Sequence, residues 1–107
     1  MRPFKYEKVT RAKDATKALA ENKSAKFLAG GTNLVDLMKE DIERPNELVD
    51  VNKIRLNQIK AMGNKISIGA MAKNKDTANH PLIKQNFPLL TQAILAGASP
   101  QIRNMAT

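Results

Sequence analysis

The sequence predicts an α+β protein: a small β-α-β-α-β subdomain followed by the beginning of an antiparallel α+β subdomain. In the first half, three short apolar or alternating segments are separated by two segments with helical periodicity. In the second half, a Gly-Asn pair between two alternating segments predicts a hairpin, and helical segments follow it. The change of pattern predicts a division into residues 1–53 and 54–107. No internal repeat is visible.

Three segments of the first half are predicted strands: Phe4–Tyr6, Ala25–Ala29 and Glu47–Val51. Residues Phe27–Ala29 are expected to be the buried part of the second strand. Each strand is joined to the next through a helix, and right-handed crossovers of this kind make strands parallel. We therefore expect a parallel sheet with helices packed on it.

The two helices of this half are predicted from their caps and apolar faces. The first begins at a cap, Thr10 or Asp14, and ends near Asn22. The second covers Leu34–Glu40 and is opened by Thr32 or Asn33. Its Asp36 is placed to complete an arrangement like a capping box with Asn33. The apolar positions on the two helices are Ala15, Ala18, Leu19, Leu34, Leu37 and Met38.

In the second half, Gly63-Asn64 separates the predicted strands Ile59–Met62 and Lys65–Ile68. A helix is expected from Asn74, with an interruption at His80-Pro81. The last long helix is opened by Pro88, and we expect Gly97 to end it in a left-handed conformation. Its predicted packed face consists of Leu89, Leu90, Ala93, Ile94 and Gly97. Ser99 and Pro100 then predict a capped short helix.

The segment Lys26–Leu34 carries the main functional signal. A strand is followed by Gly30-Gly31 and then by a helix start, so backbone N–H groups could approach an anion closely. Phosphate is the usual anion in such a turn, although a tight turn without a ligand has the same sequence pattern. The segment matches neither a Walker loop nor a dinucleotide fingerprint, because it lacks the Gly-Lys-Ser/Thr ending of the first and the third glycine of the second.

Two segments together resemble a known family. Ala29–Leu34 reads Ala-Gly-Gly-Thr-Asn-Leu, and Gln101–Thr107 reads Gln-Ile-Arg-Asn-Met-Ala-Thr. Both are similar to segments of the FAD-binding subunits of the xanthine dehydrogenase and molybdenum hydroxylase family. Within this family, the chain looks like the FAD subunits of bacterial aldehyde oxidoreductases of the periplasmic type. The resemblance covers the whole chain and includes Leu48–Val51, Ile66–Ala70 and Ala93–Ala98.

The resemblance implies an FAD-binding fold of the PCMH type and an oxidoreductase subunit. In such enzymes, electrons pass from a molybdopterin centre in a large subunit through [2Fe-2S] clusters in a small subunit to FAD, and then to an external acceptor. It also implies that the chain is an N-terminal fragment, inactive alone, whose uncovered apolar face could support self-association. The implied FAD-binding residues are Lys26, Phe27, Leu28, Ala29, Gly30, Gly31, Thr32, Asn33, Leu34 and Thr107.

Composition leaves two alternatives open. The net charge of +8 is compatible with a basic nucleic-acid-binding domain, but the basic residues form no dense block and aromatic residues are few. A flavin-free interaction domain with the same fold is the second alternative. There is no cysteine, so iron–sulfur clusters would have to lie in partner subunits.

Other residues carry little chemistry. His80 is the only histidine and is expected to be structural. The resemblance implies a second phosphate-binding loop that begins at Thr107. Arg103 is expected either to position this second loop, to offset phosphate charge, or to lie exposed. No catalytic or metal-binding residue is predicted, and no apolar run is long enough to span a membrane. The N-terminus lacks a signal-peptide pattern, so we expect a cytoplasmic protein, or a periplasmic one exported with a partner subunit.

Overall fold

The computed structural model describes all 107 residues, Met1–Thr107. They form two units, Met1–Arg55 and Leu56–Thr107. The predicted division fell between residues 53 and 54. No helix is both long and apolar enough to cross a bilayer.

The first unit is a β-α-β-α-β arrangement with a three-stranded parallel sheet, as predicted. Its elements are β1 (Lys5–Lys8), α1 (Ala12–Glu21), β2 (Ala25–Leu28), α2 (Leu34–Lys39) and β3 (Glu47–Asp50). The strand order is β1-β3-β2, so the last strand in sequence is the central one. Lys8 of β1 and Leu28 of β2 both lie opposite Asp50 of β3, which aligns the carboxyl ends of all three strands.

The core of this unit is built around β3. Leu48, Val49 and Val51 are buried, and Met38 of α2 and Ala15 of α1 pack among the buried residues. The prediction that Phe27–Ala29 is buried was wrong. Because β2 is an edge strand, only its first residue, Ala25, is buried, and Phe27 is 42% exposed.

The predicted helix caps need correction. Arg11, rather than Thr10 or Asp14, is the N-cap residue of α1; Asp14 lies in the first turn, where it accepts a hydrogen bond from Arg11 Nε at 3.0 Å. Asn33 is the N-cap residue of α2, but its side chain makes no capping hydrogen bond. Its backbone is already helical, with φ −115° and ψ −51°, whereas a side-chain cap normally requires an extended residue. The predicted capping box with Asp36 is therefore absent.

The second unit combines a hairpin with four helices. Its elements are β4 (Ile59–Met62), β5 (Lys65–Ile68), α3 (Asn74–Asn79), α4 (Pro81–Asn86), α5 (Pro88–Ala96) and α6 (Pro100–Arg103). The hairpin is confirmed, with Gly63 at a φ of +61° in the turn. The break at His80 is confirmed too: His80 Nδ1 accepts a hydrogen bond from Leu82 N at 3.2 Å and so caps α4. Its role is structural, as expected.

The predicted packed face of α5 was wrong. Leu89 is 76% exposed and Leu90 is 37% exposed, whereas Thr91 is turned toward α3, where its hydroxyl donates to Ala78 O at 3.0 Å. Gly97 is extended, with a φ of −80°, and is not the left-handed residue expected. The buried residues of this unit are small in number: Ala72, Thr77, Ala78 and Ile83.

Candidate functional site

The segment Lys26–Leu34 begins on β2, makes a turn, and ends at the first residue of α2. The turn lies at the edge of the sheet where the carboxyl ends of the three parallel strands meet. Ligands of open α/β sheets are generally bound at this edge. The topology therefore places the glycine turn where a binding site is expected.

Gly31 is the residue that shapes the turn. Its φ is +73°, in the region that side chains disfavour, while Gly30 is not in that region. A Cβ atom on Gly31 would lie 3.0 Å from Val35 Cγ2 and 3.4 Å from Leu28 Cδ1. Glycine is thus required both by the backbone conformation and by the close packing of the turn on α2.

The backbone of the turn has free hydrogen-bond donors. The N–H groups of the four residues Gly30 to Asn33 donate no hydrogen bond within the chain. Two of their carbonyls do accept hydrogen bonds: Gly31 O from Val35 N at 3.3 Å, and Asn33 O from Leu37 N at 3.1 Å. Consecutive free N–H groups at a helix start suit an anion, since each is a donor that needs an acceptor.

The side chains around the turn leave these donors accessible. Thr32 is half-buried and Asn33 is exposed, and neither side chain forms a hydrogen bond within the chain. Lys26 is exposed, and its Nζ lies 3.7 Å from Glu43 Oε2. The neighbouring residues Leu28, Ala29 and Leu34 are half-buried.

Three residues that the predicted site did not include form a hydrogen-bonded cluster, and one of them, Asn52, contacts the residue before the glycine turn. Asp50 ends β3 and is buried; its Oδ1 accepts from Asn52 N at 2.9 Å and from Asn52 Nδ2 at 2.8 Å. Its Oδ2 accepts a hydrogen bond from the Tyr6 hydroxyl. Asn52 Nδ2 also donates to Ala29 O at 2.8 Å, next to Gly30. The signal available in the sequence was Asp-x-Asn at the carboxyl end of a predicted parallel strand, at the same sheet edge as the turn.

The protonation of this cluster is set by its hydrogen bonds. Burial alone would raise the pKa of Asp50. The hydrogen bonds from Tyr6 and Asn52, together with the charge of Lys8, outweigh burial and bring the pKa of Asp50 below its ordinary value. The pKa of the Tyr6 hydroxyl is raised, first by its hydrogen bond to Asp50 and then by burial and the negative charge. Tyr6 is therefore the proton donor and Asp50 the ionised acceptor.

The remaining predicted site residue, Thr107, lies in the second unit. It is exposed and follows a segment fixed to the start of α3, where Ala106 O accepts from Asn74 N at 2.8 Å. Arg103 Nη1 donates to Leu95 O at 3.3 Å and to Gly97 O at 3.2 Å, as well as to Ala98 O. Of the roles considered for Arg103, these contacts support positioning of the segment that leads to Thr107.

Other chemistry is sparse. No group of three or more metal-ligating side chains is close enough to hold a metal ion. A cleft of about 480 Å³ lies along β1 and α1, at the opposite edge of the sheet from β2, and residues of both charge signs line it, including Lys8, Asp14, Lys17 and Glu47.

Comparison with known proteins identifies the family. The sequence pattern of the FAD binding domain in molybdopterin dehydrogenase matches residues 2–107. The chain belongs to this family. It is 44% identical over 108 residues to the aldehyde oxidoreductase FAD-binding subunit PaoB of Escherichia coli, with all of this chain and 34% of PaoB covered.

The fold of this FAD-binding domain is shared with a solved structure. Carbon monoxide dehydrogenase from Hydrogenophaga pseudoflava matches with a TM-score of 0.95 and 34% identity, over 99% of this chain and 38% of that one. The medium chain of the same enzyme is 35% identical over 106 residues. The predicted α+β fold of the PCMH type is thus confirmed. The chain spans about a third of the length of these relatives.

The residues of the turn fit FAD on structural grounds. The pyrophosphate of a dinucleotide needs several hydrogen-bond donors close to one another, and Gly30 to Asn33 provide four free N–H groups. The turn has no Cβ at Gly31 and no carboxylate side chain among its residues.

Proposed function

We propose that this chain supplies the first phosphate-binding loop, Lys26–Leu34, and the beginning of the second, at Thr107, of an FAD-binding subunit in a molybdenum hydroxylase. Bound FAD would accept electrons from iron–sulfur clusters and deliver them to an external acceptor, which is chemistry that the cofactor itself supplies. The chain's own residues would bind and orient the dinucleotide. Family membership and the four free N–H groups support this proposal.

The proposed partners are a large molybdopterin-binding subunit and a small [2Fe-2S] subunit. The absence of cysteine and of a metal-ligating cluster agrees with placing the metals outside this chain. Relatives are named as subunits or medium chains of larger enzymes, which supports partner subunits of this kind. Location in the cytoplasm, or in the periplasm by export with a partner, is part of the same proposal.

The experiment that tests this function is a chimera. The segment of PaoB that aligns with this chain is replaced by the chain itself, and the chimera is produced with the other subunits of that aldehyde oxidoreductase. We expect the purified complex to retain FAD in the same ratio to protein as the unmodified enzyme, measured by absorbance after release of the flavin. A folded, assembled complex without FAD would overturn the proposed function.

The matched control disrupts the geometry of the free N–H donors but keeps the amino-acid composition of the segment. In it, Gly31 and Thr32 exchange places, so that threonine occupies the position with a φ of +73°. We expect this chimera to assemble with less FAD, since threonine in that conformation is strained. Equal FAD in both chimeras would mean that the turn does not hold the cofactor.

A further inference from the structure

The strongest unassigned feature is a hydrogen-bonded cluster in which the buried Asp50 accepts from two exposed residues, Tyr6 and Asn52. Asp50 is 7% exposed, and it is the only carboxylate residue among the buried residues of the chain. A buried carboxylate is costly unless its oxygens are satisfied. Both oxygens of Asp50 accept hydrogen bonds, Oδ1 from Asn52 and Oδ2 from the hydroxyl of Tyr6.

Asn52 joins this cluster to the glycine turn. Its Nδ2 donates to Asp50 Oδ1 and to Ala29 O, each at 2.8 Å. Both of those partners are acceptors only, so the side-chain amide has one orientation that satisfies them and cannot be flipped. The amide therefore connects the end of the central strand to the residue that precedes Gly30.

The cluster fixes the point at which the turn leaves the sheet. Val51 N donates to Leu28 O at 3.0 Å, so the backbone of β2 is held by the sheet up to that residue. Beyond Leu28, the four residues from Gly30 to Asn33 have no N–H bond of their own to hold them. The Asn52 contact at Ala29 is the last side-chain tether before these free donors.

We propose that Asn52, held in orientation by Asp50 and Tyr6, is a positioning residue that preorganises the free N–H groups of the turn for the phosphates of FAD. This inference rests on the proposed function. An apolar cluster could fill the same space at lower desolvation cost, but it could not fix the Ala29 carbonyl in one direction. Preorganised donors bind more tightly because less freedom is lost on binding.

The test compares Asn52→Ala and Asn52→Asp with Asn22→Ala. The Asp variant keeps the shape of the side chain but removes the donor. Asn22 is the matched control: its Nδ2 donates to Asn46 Oδ1 at 2.9 Å, and the nearby Glu47 begins β3, so it bridges segments at the other end of that strand. All three variants are made both in the 107-residue chain and in the PaoB chimera.

Two readouts are measured. In the chain, ¹⁵N relaxation gives order parameters for the amides of Gly30 to Asn33. We expect values typical of rigid backbone in the parent and in Asn22→Ala, and values below about 0.6 in both Asn52 variants. In the chimera, we expect the release of FAD to be about tenfold faster in the Asn52 variants, which corresponds to about 1.4 kcal/mol.

The possible outcomes distinguish a failure of this inference from a failure of the proposed function on which it rests. Loss of FAD from the parent chimera itself would overturn the proposed function. If the parent chimera retains FAD, but the Asn52 variants release it at the parental rate with unchanged order parameters, Asn52 is not a positioning residue. Equal effects of Asn22→Ala and Asn52→Ala would assign both changes to general destabilisation and would also overturn the inference. If the Asp variant fails to fold beside Asp50, the Ala variant decides the result alone.

Discussion

Single residues decide the geometry of the candidate site, and Gly31 is the clearest case. Its φ of +73° and its contacts with Val35 and Leu28 leave no room for a branched side chain. We expect Gly31→Val in the PaoB chimera to abolish retention of FAD. The first unit should remain folded, because one residue forced into the left-handed region costs only about 1–2 kcal/mol.

The control for this substitution is Gly63→Val. Gly63 has a similar φ of +61°, but it lies in the hairpin turn and a Cβ there would meet nothing within 4 Å. This variant carries comparable backbone strain, and we expect it to keep its flavin. Absorbance of the purified complexes near the flavin bands measures both results. A yellow Gly31→Val complex with the parental flavin content would show that the loop does not bind FAD.

The Tyr6–Asp50 pair predicts how stability depends on pH. The folded-state pKa of Asp50 lies below its unfolded value of about 3.9, so its contribution is present above that pH and is lost as the pH falls. The folded-state pKa of Tyr6 lies above its unfolded value of about 10, so its contribution is present below pH 10 and is lost as the pH rises further. The pair is therefore most effective between these limits.

Urea unfolding across this pH range measures the effect. We expect Asp50→Asn to reduce the loss of unfolding free energy in acid and Tyr6→Phe to reduce the loss in alkali. Asp41, whose pKa is lowered chiefly by its hydrogen bond to Arg2, also contributes in acid, so the difference between variant and parent isolates Asp50. Parallel pH profiles for Asp50→Asn and the parent would contradict the prediction.

At the scale of elements, Gly69 marks the place where the backbone that follows β5 packs closely on the backbone that precedes β4. A Cβ on Gly69 would lie 2.1 Å from Leu56 O, and this is backbone that cannot rotate away. Gly69 N donates to Gln58 O, and Met71 N donates to Leu56 O, both at 2.8 Å. We expect Gly69→Ala to destabilise the chain by about 1–3 kcal/mol or more, as overpacking does, measured by urea unfolding.

Gly97→Ala is the matched substitution for that measurement. Gly97 has an ordinary φ of −80°, and a Cβ there would be 3.7 Å from the nearest atoms, which is normal contact. We expect it to leave stability unchanged or to raise it by up to about 1 kcal/mol, because alanine restricts the unfolded chain. If both variants lose stability equally, the close contact at Leu56 is not the cause.

The elements also show how much of the fold could be predicted from the sequence. Apolar periodicity and turn residues are local, so the order of strands and helices, the hairpin at Gly63 and the break at His80 were all predicted. Whether a strand lies at the edge or in the centre of a sheet is not a local property of its sequence. The strand order β1-β3-β2 leaves Phe27 exposed, and no pattern within β2 indicates this.

The candidate site, too, could be predicted only where it depends on residues that are neighbours in the sequence. The glycine turn and its position before a helix are visible in the sequence, but which glycine is left-handed and which N–H groups are free depend on the folded backbone. In the network of Tyr6, Asp50 and Asn52, the hydrogen bond between Tyr6 and Asp50 joins residues 44 positions apart along the chain. Only the parallel pairing of β1 with β3 brings Tyr6 to Asp50.

Across the whole molecule, more of the exposed large apolar side chains lie in the second unit than in the first. Nine of the fourteen exposed large apolar side chains lie in Leu56–Thr107, and Leu89 at 76% and Met62 at 56% are among the most exposed. Large exposed apolar areas tend to be covered by other protein. We therefore expect the 107-residue chain to self-associate in solution.

Sedimentation velocity over a range of concentrations measures this association. We expect the fraction of dimer or larger species to rise with protein concentration, and a Leu89→Lys variant to shift the equilibrium toward monomer. Ile42→Lys is the control, since Ile42 is 66% exposed but lies in the first unit. Monomer at every concentration for the unmodified chain would refute the expectation.

The isolated chain is also expected to bind FAD weakly. It contains the free donors of the turn, but it spans only 34% of the length of PaoB. Each hydrogen bond to a charged group contributes roughly 1.5–3 kcal/mol, so losing several of them lowers affinity by orders of magnitude. We expect the purified chain to be colourless and to show no dehydrogenase activity. Adding FAD to it should quench flavin fluorescence only at high protein concentration, whereas tight stoichiometric quenching would show that the first loop is sufficient.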